Sequence, residues 1–248
     1  MTRYDTIGDR YSARRREDPQ IRARIHEALG NARTVVNVGA GAGSYEPQDR
    51  TVFAVEPSHV MAEQRAPDRP ALRGTATALP FFDGSLDAAM TVLSLHHWDP
   101  DQEAGVREMA RVARDTIVIL TIDAEVSGRM WLMADYFPEV RNRDFAIFPP
   151  PEQIAAWTGR RATIETIPVS RTTPDHSLAS FWAHPERVLD PLARQVTSGF
   201  AREPQAVIDR VVAAVRTDLE SGAWDARHGA LRHLEEADAG LRLIVAKS

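Results

Sequence analysis

One short stretch constrains this chain more than any other: an apolar run, Thr34-Val-Val-Asn-Val38, that passes directly into Gly39-Ala-Gly41-Ala-Gly43-Ser44. Alternating glycines after a buried strand let the backbone turn sharply, and let a ligand approach without meeting a Cβ. The G-x-G-x-x-G fingerprint is not completed, because the third glycine comes one residue early and Ser44 stands in the expected place. A purely structural strand-to-helix turn can also show G-x-G. The loop gains weight from Glu56, which follows the next apolar run, Thr51-Val-Phe-Ala-Val55. A carboxylate there can accept hydrogen bonds from both hydroxyls of a ribose.

Strand-sized and helical signals alternate around this loop. Asp18-Pro19 reads as an N-cap followed by Pro at N1, with Ile21, Ile25, Ala28 and Leu29 at helical spacing and Gly30 as the stop. A helix is predicted over 58–65, a weak strand over 71–73, a strand over 86–92, a helix over 102–113 and a strand over 116–122. Further on, helices are predicted over 127–137, ended by Pro138, and over 150–157. A strand follows over 161–169, then a helical stretch over 175–227, best defined at 204–219, and a closing strand over 240–246. Apolar strands separated by helices call for a parallel sheet covered on both faces. The expected fold is α/β: a Rossmann-like, doubly wound, mostly parallel seven-stranded sheet, with a helical cap inserted before the last strand. Its ligand should lie beyond the carboxyl ends of the strands.

Composition narrows the chemistry. The 248 residues carry 30 Lys+Arg against 35 Asp+Glu, a formal charge of −5, which offers no bulk basic footprint for nucleic acid. With no cysteine there is no thiolate nucleophile, disulfide or Cys-ligated metal. No apolar run is long enough for a membrane span or signal peptide, so a soluble cytoplasmic protein is expected. His96-His97-x-Asp99-x-Asp101 lacks convergent ligand spacing, and no metal site is expected.

Four blocks in order, Gly39-Ala-Gly41-Ala-Gly43, Val52-Phe-Ala-Val-Glu56-Pro-Ser58, Gly74-Thr-Ala-Thr-Ala-Leu-Pro80-Phe81 and Leu93-Ser-Leu-His96-His97-Trp98, resemble the class I S-adenosylmethionine-dependent methyltransferases. The nearest branch is the type 11 group, which includes the ubiquinone/menaquinone-biosynthesis C-methyltransferases. The resemblance is dense over roughly residues 34–122 and thinner outside. It implies that Gly39, Ala40 and Gly41 lie against the methionine part of S-adenosylmethionine (SAM) and that Glu56 binds the ribose. Pro57, Ser58 and Met61 would border the adenine, Ala76 would meet an adenine nitrogen through its N–H, and Leu93 and Ser94 would pass the sulfonium. Two positions depart from the family pattern: Asn37 stands where an acidic residue is frequent, and Thr75 where an aspartate often binds the adenine amino group. Both remain polar, and binding is expected to survive.

In the same resemblance an N-terminal segment folds over the cofactor, placing Tyr11 and an arginine, Arg15, near its carboxylate; a solvated basic helix face explains those residues equally well. His97, closer to the substrate side than His96, is the better candidate for a base or orienting group. If the strand continues through them, however, the two histidines face opposite sides. Phe148-Pro-Pro-Pro151 reads as a helix start. Trp182 and His184 either pack between helices or project from a lid over the substrate pocket.

The expected organisation is an N-terminal segment over the cofactor (1–30), the SAM-binding core (31–169, with 123–160 partly cap), a cap (170–228) and a last strand completing the sheet (229–248). The expected activity is in-line methyl transfer from SAM to a small molecule, releasing S-adenosyl-L-homocysteine (SAH), with neither nucleic acid nor membrane as partner and a homo-oligomer left open. An NAD(P)-dependent oxidoreductase and a non-catalytic SAM-binding regulatory protein are the alternatives.

Overall fold

The structure is a computed structural model that describes residues 16–195 and 197–248. Tyr11 and Arg15, with most of the expected N-terminal segment, lie outside the described residues. The first helix, α1 (Pro19–Leu29), forms where local chemistry dictates. The Asp18 carboxylate accepts from the N–H groups of Gln20 (2.8 Å) and Ile21 (3.3 Å), Pro19 fills a position that needs no donor, and Gly30 stops the helix at φ +53°.

Five strands then run parallel: β1 (Thr34–Val38), β2 (Thr51–Val55), β3 (Ala71–Leu72), β4 (Leu86–Val92) and β5 (Ala113–Ile122). Between them lie α2 (His59–Glu63), capped by the Ser58 hydroxyl, and α3 (Gln102–Val112). Later come β6 (Arg161–Thr166) and β9 (Leu241–Lys247), which give a seven-stranded sheet in the order β3-β2-β1-β4-β5-β9-β6. Only β9 runs against its neighbours, pairing antiparallel with β5 and β6. The expected mostly parallel, seven-stranded fold class is what forms.

Adjacent residues of each strand serve opposite cores, which is why the strands read as unbroken apolar runs. Val35, Met90, Val118 and Leu120 pack with Ile21, Ile25 and Leu29 of α1. Val36, Val38, Ile117, Ile119 and Ile244 pack instead with Val106 and Met109 of α3. The first core continues without a break into residues beyond β5, including Phe137, Phe181, Phe200 and Trp224, all fully buried.

That second half departs from its prediction in three places. Instead of one helix over 127–137 there is a short α4 (Ala124–Ser127) and a π-helical turn, Leu132–Tyr136. Pro138 does not end a helix but opens α5 (Pro138–Ile147) at the position where a missing N–H costs nothing. Then α6 (Pro151–Trp157) follows as expected, ahead of β6. The strand predicted to reach 169 stops at Thr166, before Pro168 removes a ladder donor, and β7 (Val169–Ser170) pairs separately with β8 (Glu236–Ala237).

The stretch predicted helical over 175–227 is broken at Pro185, Pro191 and Pro204. It comprises 3-10 turns at Leu178–Phe181 and Pro185–Val188, α7 (Pro191–Gln195), α8 (Ser198–Ala201), the long α9 (Gln205–Glu220) and α10 (Ala223–His228). Among the described residues no helix is long and apolar enough to cross a membrane. Because β1, β2 and β4 are parallel, the loops that follow them open at one edge of the sheet. That shared edge positions the site.

Candidate active site

At the end of β1 the chain swings across β2: the N–H groups of Gly39 and Ala40 both donate to the Val55 carbonyl, at 2.9 and 3.1 Å. Gly39 turns at φ +68°, and a Cβ built on it would stand 1.9 Å from Ser94 Oγ. Only glycine fits there, on both counts. Glu56, at the end of β2, is buried and fastens the loop, accepting from the Gly41 N–H through Oε2 and from the Ser58 N–H through Oε1, both at 2.8 Å.

β4 stops abruptly. Leu93 takes φ +50°, a conformation a leucine rarely adopts, while its N–H stays bonded to the Leu120 carbonyl at 2.9 Å. The chain then winds into a 3-10 turn, Leu95–His97, tied by His97 N–H to Ser94 O at 2.9 Å. This turn corrects the extended geometry considered for the two histidines. Their rings do not point to opposite faces: the centroids are 3.8 Å apart, and His96 also stacks at 4.4 Å on Phe148.

The three loops enclose a cleft of about 560 Å³. Gly39, Ala40, Gly41, Glu56, Pro57, Ser58 and Met61 line it from the β1 and β2 side. Thr75 and Ala76 line it from the segment after β3, and Leu93, Ser94, His96 and His97 from β4. Trp182 and His184 are not brought there. Trp182 is buried, with its carbonyl taking the Trp131 indole N–H at 2.9 Å, and His184 Nε2 bonds the Arg171 carbonyl at 2.8 Å. Both serve packing of the second half, which corrects their placement at a substrate pocket.

Sequence reasoning passed over several residues that do line the cleft. Asp99 and Asp101 were set aside as metal ligands and not read as lining a cleft, and Ile147 and Asp175 carried no signal at all. The last two arrive from segments far along the chain, and no local pattern marks them. Asn37, noted only as a departure, is almost fully buried and lines the cleft from β1. Among the described residues no group of His, Asp and Glu is arranged to hold a metal ion.

A family model described as a methyltransferase domain matches residues 36–119. A solved structure from Anabaena variabilis, assigned as a methyltransferase of an antibiotic biosynthesis pathway, is 31% identical. The match covers 95% of this chain and 99% of that one, with a TM-score of 0.85. The chain belongs to the class I SAM-dependent methyltransferases. Two more distant structures share the methyltransferase's fold. The geranyl diphosphate C-methyltransferase of Streptomyces coelicolor, solved with Mg²⁺, geranyl diphosphate and SAH, is 15% identical over 92% of this chain and 78% of its own, at a TM-score of 0.52. The [4+2]-cyclase SpnF, also 15% identical, covers 99% of this chain and 94% of its own at 0.54. A search of curated protein sequences finds no match.

SAM is therefore the methyltransferase's cofactor, and the oxidoreductase alternative falls away. The residues present suit it. The glycine cradle is one a single Cβ would fill, a buried carboxylate, Glu56, is bonded to the loop at the edge of the cleft, and a buried amide oxygen on Asn37 has no partner among the described residues.

Proposed function

We propose that this methyltransferase acts on a small-molecule acceptor that enters beside His96 and His97. The observation that carries this is the meeting of the histidine pair and the glycine loop in one cleft of about 560 Å³. That size suits a cofactor and a compact acceptor together. The net charge of −5 gives no support to a nucleic-acid acceptor. The Anabaena and Streptomyces relatives, named for antibiotic biosynthesis and for geranyl diphosphate, support a small molecule in the same sense.

The cofactor supplies a methyl group already activated on a sulfonium. The chain's own contribution is alignment and exclusion of water. Glu56 holds the ribose hydroxyls; Pro57, Ser58 and Met61 border the adenine, with Thr75 and the Ala76 N–H at its edge. Gly39, Ala40, Gly41, Leu93 and Ser94 surround the methionine end. His97, with His96 stacked against it, orients the acceptor or takes its proton. Residues 170–228 act as the cap over a core of 31–169, and the strand in 229–248 completes that core.

The test is transfer of label from methyl-labelled SAM to a broad metabolite panel, run beside SAH titration by calorimetry. Transfer to a panel member that His97→Ala abolishes supports the proposal. SAH binding with transfer to none would favour a non-catalytic SAM-binding protein instead.

A further inference from the structure

The run Phe148-Pro149-Pro150-Pro151 reads in the sequence as a helix start, yet its first residue has a task of its own. A residue ahead of proline is steered away from the helical conformation, so α5 ends just before Phe148, whose φ of −101° and ψ of 107° are extended. The Phe148 N–H still closes the helix on the Asp144 carbonyl at 2.9 Å, and Pro150, at φ −53°, stiffens the exit toward α6. One residue earlier the Ile147 carbonyl accepts from Gln102 Nε2 at 3.0 Å, and Gln102 is buried at the start of α3. Phe148 is thus held by its backbone on both sides, and its side chain is buried.

Against the Phe148 ring lies His96, and against His96 lies His97. The centroids are 4.4 Å apart with the planes at 32°, then 3.8 Å apart at 48°. Three rings therefore form one stack, running from the end of α5 to the wall of the cleft. His96 and His97 line that cleft, whereas Phe148 stands behind them. Both histidines are part-buried on the 3-10 turn. The bonds of that turn, His97 N–H to Ser94 O at 2.9 Å and Trp98 N–H to Leu95 O at 3.0 Å, fix its backbone and leave its imidazoles to side-chain contacts. A group that must meet an acceptor in line loses about a hundredfold in rate when displaced by about 1 Å, so its ring needs a support of its own.

We propose that Phe148 is a positioning residue: through the ring of His96 it holds the His97 imidazole at the angle from which it meets the acceptor, a step that rests on the role given to His97 above. The two histidines then divide the work. His96 is the ring in between, and His97 is the group that touches the acceptor.

One test needs no acceptor: imidazole resonances of ¹⁵N-histidine-labelled protein saturated with SAH, assigned with His96→Gln and His97→Gln. Phe148→Leu is expected to move the His97 ring resonances toward those of a free histidine side chain and to remove the nuclear Overhauser contact between the two imidazoles. Phe148→Tyr, which keeps a ring, should retain both features. His97 resonances and contact unchanged in Phe148→Leu would overturn the proposal. Phe148→Met repeats the comparison if the Leu variant does not fold. The second test is methyl transfer to an acceptor found on the metabolite panel. Phe148→Leu should lower kcat about tenfold while KM and SAH affinity stay within about twofold, and Phe148→Tyr should recover kcat to within about threefold. His96→Leu should also lower kcat about tenfold, and adding Phe148→Leu to it should cost less than about twofold more, since both act through one stack. Losses that multiply, or a Tyr variant as slow as the Leu variant, would show Phe148 to be packing alone. Normal transfer by His97→Ala would overturn the role of His97 and this proposal with it. A slow His97→Ala beside a Phe148→Leu of full kcat would overturn this proposal alone.

Discussion

Glu56 and His97 line the same cleft, yet their partners differ and so should the consequences of removing them. Glu56 fastens Gly41 and Ser58 through backbone bonds, so Glu56→Ala should loosen the loop as well as delete an acceptor. SAH affinity is expected to fall at least about tenfold. His97→Ala should leave that affinity within about twofold and lower kcat by about a hundredfold or more. Equal losses of SAH affinity would contradict the division of roles. Asp144, on α5, offers a different test. Burial, opposed by Arg143 and Arg202, lifts its carboxyl to about 6 from an ordinary 3.8. With the folded value above the unfolded one, the folded chain binds this proton more tightly. The cost of its charge is absent below about pH 4, grows as pH rises to 6 and is complete above it. Asp144→Asn should therefore stabilise the protein at pH 7.5, by at most about 3 kcal/mol, and have little effect at pH 4. Urea unfolding at the two pH values measures both.

At the scale of elements, stability and legibility follow the same line. Asp18→Ala removes the cap from α1 and should cost about 1 kcal/mol, a fall in Tm of about 2–4 °C in a thermal melt. That cap was readable in advance because its chemistry is local: an Asp, a Pro and two N–H groups within four residues. The strands and the glycine loop were readable for the same reason. The end of β4 at Val92 was readable as well, but the 3-10 turn beyond it was not, since it depends on Leu93 holding a left-handed conformation against β5, and the pairing of the two histidine rings depends on that turn. Nor was the π-helical turn foreseeable, because the apolar spacing of Met130, Trp131 and Met133 suits an ordinary helix equally well. In the site, Glu56 stood out as a strand-end carboxylate. Asn37 drew notice only as a departure, because its partner Glu46 gains meaning when Arg65 folds against it. Trp182 and His184 misled because an aromatic in a helical segment looks alike whether it faces a ligand or a neighbouring helix.

For the whole molecule, the decisive fact is that the sheet and the cap residues share one core. Phe137, Phe200 and Trp224 belong to the same buried cluster as Val35, Met90 and Leu120. Heating is expected to give one transition, with near-ultraviolet and far-ultraviolet signals coinciding; two separate transitions would show the cap folding on its own. SAH at about a hundred times its Kd should stabilise this single unit by about 2.7 kcal/mol, raising Tm by about 5–10 °C, whereas NAD(H) should leave it unchanged. The sheet order carries a last consequence. β9 lies between β5 and β6, although every other strand precedes it in the chain. A ribosome therefore releases the glycine loop, the histidine turn and most of the sheet while β5 and β6 still present raw edges to one another. Until Leu241–Lys247 emerge, the growing polypeptide lacks the strand that joins β6 to the rest of the sheet, and the edge of β5 stays open to wrong pairing.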